Sequence, residues 1–159
     1  MSPPRFLADA MLGRLARWLR VLGFDTSYDP ALDDTTLVRL ADAEDRILLT
    51  RDRHLLRELR PRHALEITRE QPLDQVAAVV EQLELRPPRE LFTRCMMCNT
   101  PLDDLSAEDA AALLPPDARQ LGGPMRRCPQ CKRVYWAGSH VRRMTRALAA
   151  ALPAWFTPH

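Results

Sequence analysis

Three aspartates, Asp9, Asp34 and Asp52, stand where phosphoryl-transfer chemistry would need them. Asp9 ends the short apolar run Phe6-Leu7-Ala8, and Asp52 lies just past Ile47-Leu48-Leu49. An unbroken apolar run bounded by polar residues suits a strand buried on both faces of a parallel sheet. A carboxylate just beyond such a strand faces the crevice where open α/β sheets bind their ligands. Asp34 sits in the N-cap position of a helix carried by Leu37, Leu40 and Ala41. Carboxylates gathered at one edge repel one another unless a hard cation lies between them, and Mg²⁺ or Mn²⁺ prefers such oxygen ligands. Ions held there can orient a water and stabilise the attacking and leaving oxygens of a phosphate ester. The competing reading is three unrelated helix caps, with Asp52 capping the helix of Leu55, Leu56 and Leu59.

A second constellation is Cys95-x-x-Cys98 and Cys128-x-x-Cys131, two knuckles separated by 29 residues. Four thiolates presented in pairs match a closed tetrahedral structural Zn²⁺ site. Two disulfides or an iron–sulfur centre are the alternatives, disfavoured by the pairing and by a reducing compartment. His140 is a spare ligand that a shell of four cysteines does not need.

The elements that must position these groups follow from periodicity. Leu12, Leu15, Ala16, Leu19 and Leu22 recur at helical spacing, Arg14, Arg17 and Arg20 lie largely off that stripe, and Gly23 stops the helix. Residues 24–28 and 64–68 read as further strands, and Leu73, Val76, Ala77, Val80 and Leu83 as a further helix. Alternating strands and helices imply a parallel sheet with right-handed crossovers. Arg86-Pro87-Pro88-Arg89 is the domain boundary, because paired prolines end a helix and stiffen a connection. Val141, Met144, Leu148 and Leu152 give a final helix with Ser139 as its cap. The start of the chain lacks a signal-peptide apolar region and no stretch approaches the roughly 20 apolar residues of a bilayer span. The expectation is a cytoplasmic protein with no membrane partner.

A formal net charge of +2 conceals an asymmetry. Residues 121–159 hold seven Arg or Lys and no Asp or Glu, which makes the tail +7 and leaves −5 for residues 1–120. An acidic working centre beside a basic surface fits a polyanionic partner, unless the basic face is merely solvated.

Four segments, Arg5 to Arg20 (RFLADAMLGRLARWLR), Ile47 to Arg53 (ILLTRDR), Phe92 to Asn99 (FTRCMMCN) and Tyr135 to His140 (YWAGSH), resemble the Mut7-C family in content and order. The resemblance implies a PIN-like ribonuclease domain fused to a C-terminal zinc ribbon. It carries the acidic residues of PIN nucleases onto Asp9, Asp34 and Asp52, with Asp34 preferred to Asp33 because it stands seven residues before Ala41, as in related short PIN-like chains. A fourth acid is expected, with Glu44 and Asp29 both open. The reading as a whole is an α/β fold: a PIN-like parallel sheet flanked by helices at residues 1–86, and a small zinc ribbon with a basic helix at 89–159. RNA is the expected partner, hydrolysed at a Mg²⁺ or Mn²⁺ site of Asp9, Asp34 and Asp52 and held by Arg14, Arg51, Arg53, Arg142, Arg143 and Arg146. The alternative function is a non-catalytic zinc-ribbon RNA-binding protein.

Overall fold

The computed structural model describes residues 2–157. Its first half alternates β1 (Phe6–Ala8), a 3-10 turn (Ala10–Leu12), α1 (Gly13–Val21), β2 (Thr26–Tyr28), α2 (Asp34–Ala43), β3 (Ile47–Thr50), α3 (Arg53–Leu59), β4 (Ala64–Glu66) and α4 (Pro72–Gln82). The four strands form one parallel sheet in the order β2-β1-β3-β4, with Leu7 opposite Leu48 and Ala8 opposite Leu49.

Side-chain alternation divides the strands between two cores. Phe6, Ala8 and Leu49 join Leu15, Leu19, Val76 and Val79 beneath α1 and α4. Leu7 and Leu48 join Leu37, Ala41 and Leu55 beneath α2 and α3. Both faces are therefore covered, which is why β1 and β3 are apolar without a break. The connection leaving β1 packs on one face and the connection leaving β3 on the other. Such a reversal between neighbouring strands opens a crevice at their carboxyl ends.

The second half contributes β5 (Asp103–Asp104), α5 (Ala107–Leu113), β6 (Arg126–Arg127), β7 (Val134–Tyr135), α6 (Ser139–Ala151) and α7 (Pro153–Phe156). The three short strands form an antiparallel sheet, β5-β6-β7. Gly138, not Ser139, occupies the N-cap of α6, and Ser139 is the first helical residue, so the expected hydroxyl cap is absent.

The residues after Pro87 share a core with those before it. Phe92, Cys95, Cys128, Tyr135, Leu148 and Leu152 belong to the same core as Phe6 and Leu19. Arg20 departs from its expected place off the apolar stripe: it is 6% exposed and ties the halves together. Its Nε donates to the Thr26 carbonyl at 2.8 Å, and its Nη1 to the Met96 and Met97 carbonyls at 3.1 and 3.3 Å. Nearby, the Asn99 side chain accepts from the Thr26 N–H at 2.9 Å and donates to Asp25 at 2.7 Å. Arg46 donates to the same Asp25 oxygen at 2.8 Å. Burial raises the Asp25 pKa, but the Arg46 and Asn99 hydrogen bonds together outweigh it and hold the carboxyl below its usual range.

Replacing Arg20 with Met keeps much of the side-chain volume and strands three carbonyls. Arg20→Met is expected to lower unfolding free energy by roughly 2–4 kcal/mol, read from urea denaturation of the full chain; an unchanged midpoint would remove Arg20 from this role.

Candidate functional site

β1 and β3 end side by side, and the chain beyond each supplies a carboxylate. The Asp9 N–H donates to the Leu49 carbonyl at 2.9 Å, which carries the strand pairing one residue past β1. Extended backbone at Asp9 turns its side chain back over the next turn, where Oδ1 accepts from the Ala10 N–H at 2.6 Å. Its other oxygen accepts from the Thr50 hydroxyl at 2.7 Å. Thr50 is fully buried at the end of β3, and its hydroxyl oxygen also accepts from the Asp52 N–H at 3.0 Å. One hydroxyl thus links the Asp9 carboxylate to the Asp52 backbone across the two strand ends. Sequence reasoning passed over Thr50; the signal was a hydroxyl residue closing an apolar strand two positions before an aspartate.

Asp52 is the N-cap of α3, with Oδ1 accepting from the Leu55 N–H at 3.1 Å. Capping occupies one oxygen, and the exposed side chain keeps the other without a hydrogen bond among the described residues. The cap and the site are therefore not exclusive alternatives.

The helix after β2 corrects one expectation. Asp33, not Asp34, is the N-cap of α2, accepting from the Thr36 N–H at 2.7 Å. That hydrogen bond, chiefly from the Thr36 backbone, holds the Asp33 carboxyl below its ordinary range. Asp34 lies one residue further on, exposed in the first helical turn, its carboxylate without a hydrogen bond among the described residues. Asp29, just past β2, accepts from the Ala31 N–H at 3.0 Å on the same carboxyl edge. Glu44 does not share that edge: it follows α2 and pairs with Arg46 at 3.0 Å, ahead of β3. Of the two acids left open as a fourth ligand, topology keeps Asp29.

Asp9, Asp34 and Asp52 share an edge without closing into a ready-made cage. Among the described residues the only group of three or more His, Cys, Asp or Glu side chains placed to hold an ion is Cys95, Cys98, Cys128 and Cys131. Their ligating atoms all lie within 4.8 Å of one another. Each knuckle repeats one local geometry. The Cys98 N–H points at the Cys95 sulfur and the Cys131 N–H at the Cys128 sulfur, both at 3.4 Å. Asn99 and Lys132, each four residues after the first cysteine of its pair, take left-handed φ values of 66° and 68° and donate back to the Cys95 and Cys128 carbonyls. N–H groups aimed at sulfur favour thiolate, so this donor set could bind zinc.

Cys131 and Cys98 are displaced in opposite directions. Cys131 falls to about 7, mainly through a hydrogen bond involving the Arg133 backbone, while Cys98 is pushed up to about 12, first by desolvation and then by its neighbouring thiols. The buried Tyr135 hydroxyl lies 3.3 Å from Cys95 sulfur and accepts from the Met96 N–H at 3.1 Å. Burial, followed by the bond to Cys95, raises its pKa. Tyr135 therefore supports the knuckle from a buried position.

The predicted phosphate ligands separate. Arg14 and Arg51 line one cavity of about 530 Å³ at the carboxyl edge. Arg53 instead pairs with Glu66 at 2.5 Å. Arg142, Arg143 and Arg146 are exposed on α6, whose Val141, Met144 and Leu148 pack against the core. A larger cavity of about 1300 Å³ lies at the opposite edge beside Phe24, Ile47 and Pro87, away from the strand-end aspartates.

Thr50→Val preserves shape and removes the bridging hydroxyl, leaving the Asp52 N–H unpartnered. A loss of about 1–3 kcal/mol in unfolding free energy is expected, measured by urea titration; no loss would mean that water replaces the hydroxyl at no cost.

Among the described residues no helix is long and apolar enough to cross a membrane. No curated protein and no solved structure matches the chain. A family model described as the Mut7-C RNAse domain matches residues 4–148 of the 159 residues, taking in the strand-end aspartates and all four cysteines. The chain belongs to the Mut7-C RNAse domain family.

Proposed function

We propose that this protein is a metal-dependent ribonuclease. The observation that supports the reading is the placement of Asp9 and Asp52 at the ends of adjacent parallel strands, where the Thr50 hydroxyl links the Asp9 carboxylate to the Asp52 backbone N–H at the sheet's reversal point. Family membership points to RNA as the substrate.

Oxygen ligands suit Mg²⁺ or Mn²⁺, and a cation bound there supplies charge stabilisation and makes an attacking water more acidic. Asp9, Asp34 and Asp52 are its ligands in this reading. Asp9 is held by the Ala10 N–H and the Thr50 hydroxyl and changes orientation least. Asp52 offers the oxygen that capping leaves over, and Asp34 is exposed and able to swing inward. The four cysteines hold a structural Zn²⁺ with no open position. Chemistry belongs to residues 1–86 and much of the RNA affinity to residues 89–159, where Arg142, Arg143 and Arg146 attract phosphate whatever the metal concentration.

The open arrangement of the three carboxylates favours one rival, an RNA-binding protein that does not cleave. Asp52→Asn separates the two. Asn caps a helix as well as Asp does, so stability should be kept, whereas loss of the charge should reduce Mn²⁺-dependent cleavage of RNA by at least ~10²-fold. Asp52→Ala should additionally cost about 1 kcal/mol through the lost cap. Cleavage by the Asn variant at the parental rate would defeat the nuclease assignment.

Elemental analysis of the purified chain should find one Zn²⁺ per molecule. Its removal by chelator should loosen both halves, because Cys95 and Cys128 lie in the shared core. Zinc retention should weaken as pH falls, since protons compete for the thiolates. Purified protein carrying iron, or no metal at all, would overturn the zinc assignment.

A further inference from the structure

We propose that the 530 Å³ cavity at the carboxyl edge is a subsite for one ribonucleotide of the substrate, with its phosphate held by Arg14, Arg17 and Arg51. The inference rests on the nuclease reading for its biological role and on the cavity's own geometry for its chemistry. Residues adjoining both strand-end aspartates line it: Ala10 and Met11 follow Asp9, and Arg51 precedes Asp52. Whatever fills the cavity therefore lies next to the reacting edge.

Its lining is basic. Arg14 and Arg17 stand three residues apart on α1 and so share a face, and Arg51 joins them from the end of β3. Against these three guanidiniums stands one carboxylate, Glu70. Guanidinium groups present paired donors that match phosphate oxygens. None of the three makes an ion pair among the described residues, in contrast to Arg53 with Glu66 and Arg46 with Asp25. The first residues of α1 and α4, Gly13 and Pro72, also line the cavity, adding the positive ends of two helices to the same space.

The walls are fixed and partly apolar. Gln75, 4% exposed, donates to the Arg69 carbonyl at 2.9 Å and holds the loop before α4 against the cavity. Tyr28 directs its hydroxyl to the Ala10 carbonyl at 2.8 Å, so it offers ring surface in place of a hydrogen-bond donor. A Cβ at Gly13 would meet that ring at 2.9 Å, and the close approach sets the floor. At the rim, Met11 is 79% exposed, an apolar surface without a partner in the fold. A charged end beside ring and thioether surface matches a nucleotide, phosphate at one side and base at the other. The volume falls in the range of about 300–1,000 Å³ usual for small-ligand sites.

The test titrates a ribonucleoside 5′-monophosphate into the full chain without Mg²⁺ or Mn²⁺, and measures kcat and KM for RNA cleavage with Mn²⁺ in parallel. Arg17→Ala and Arg51→Ala should each weaken nucleotide binding at least ~10-fold, the loss expected of a charged hydrogen bond, and raise KM similarly with kcat little changed. Arg57→Ala, on exposed α3 surface outside the cavity, serves as the control and should do neither. Inorganic phosphate should bind more weakly than the nucleotide; equal binding would reduce the site to an anion hole and overturn the proposal. Nucleotide affinity and KM unchanged in both Arg variants of an active enzyme would overturn it too, leaving the nuclease reading intact. Arginine-dependent nucleotide binding by a chain that never cleaves RNA would uphold the subsite and sink the nuclease reading.

Discussion

The need to cover a parallel sheet on both faces governs this molecule. β1 and β3 carry apolar side chains above and below, so helices must return on each side. With the chain leaving β1 for one face and β3 for the other, no helix can fill the space between their carboxyl ends. That vacancy is where Asp9 and Asp52 stand. The acidic edge is thus a by-product of how the core is closed, and the Thr50 hydroxyl converts the coincidence of two strand ends into a fixed geometry.

A four-stranded sheet with strands of three or four residues is a small foundation, and the C-terminal half makes up part of the deficit. Leu148 and Leu152 add to the core beneath α1 and α4, while Asn99 closes the lower end of β2 through its side chain. Arg20 lies beneath the cysteine knuckle; burial pulls its pKa down, and the charges of Cys95 and Cys98 oppose that pull. The cysteine cluster and the sheet are mechanically one body at this point, although their chemistries are distinct.

What was legible in the sequence was what local pattern encodes. Uninterrupted apolar runs located β1 and β3, helical spacing located α1 and α4, and two CxxC pairs located the knuckles. Boundaries were less exact: the strands expected at 24–28 and 64–68 contract to Thr26–Tyr28 and Ala64–Glu66. Asp33 and Asp34 are chemically alike, and only backbone geometry decides which one accepts the Thr36 N–H. Glu44 stood open beside Asp29 although it ends the helix ahead of β3, a place at the opposite edge from the strand ends. Arg20 was misplaced because its partners, the Met96 and Met97 carbonyls, lie more than seventy positions away, and no helical period reports on them.

That separation also orders events during synthesis. Every residue of the parallel sheet and its covering helices has been made once Gln82 is joined, yet Arg20 and the Thr26 N–H still lack the carbonyls and amide that satisfy them. At about 5–20 residues per second, the stretch from Gln82 to Asn99 adds roughly 1–3 s, plus passage through the ribosomal tunnel. Until then the Arg20 Nη1 lacks the two carbonyls that receive it in the folded chain, and only the Thr26 carbonyl is at hand. The early-made acidic edge thus belongs to a body whose last buried contacts are late-made, and Arg20 and the Thr26 N–H find their partners only after the first cysteine pair has been synthesised.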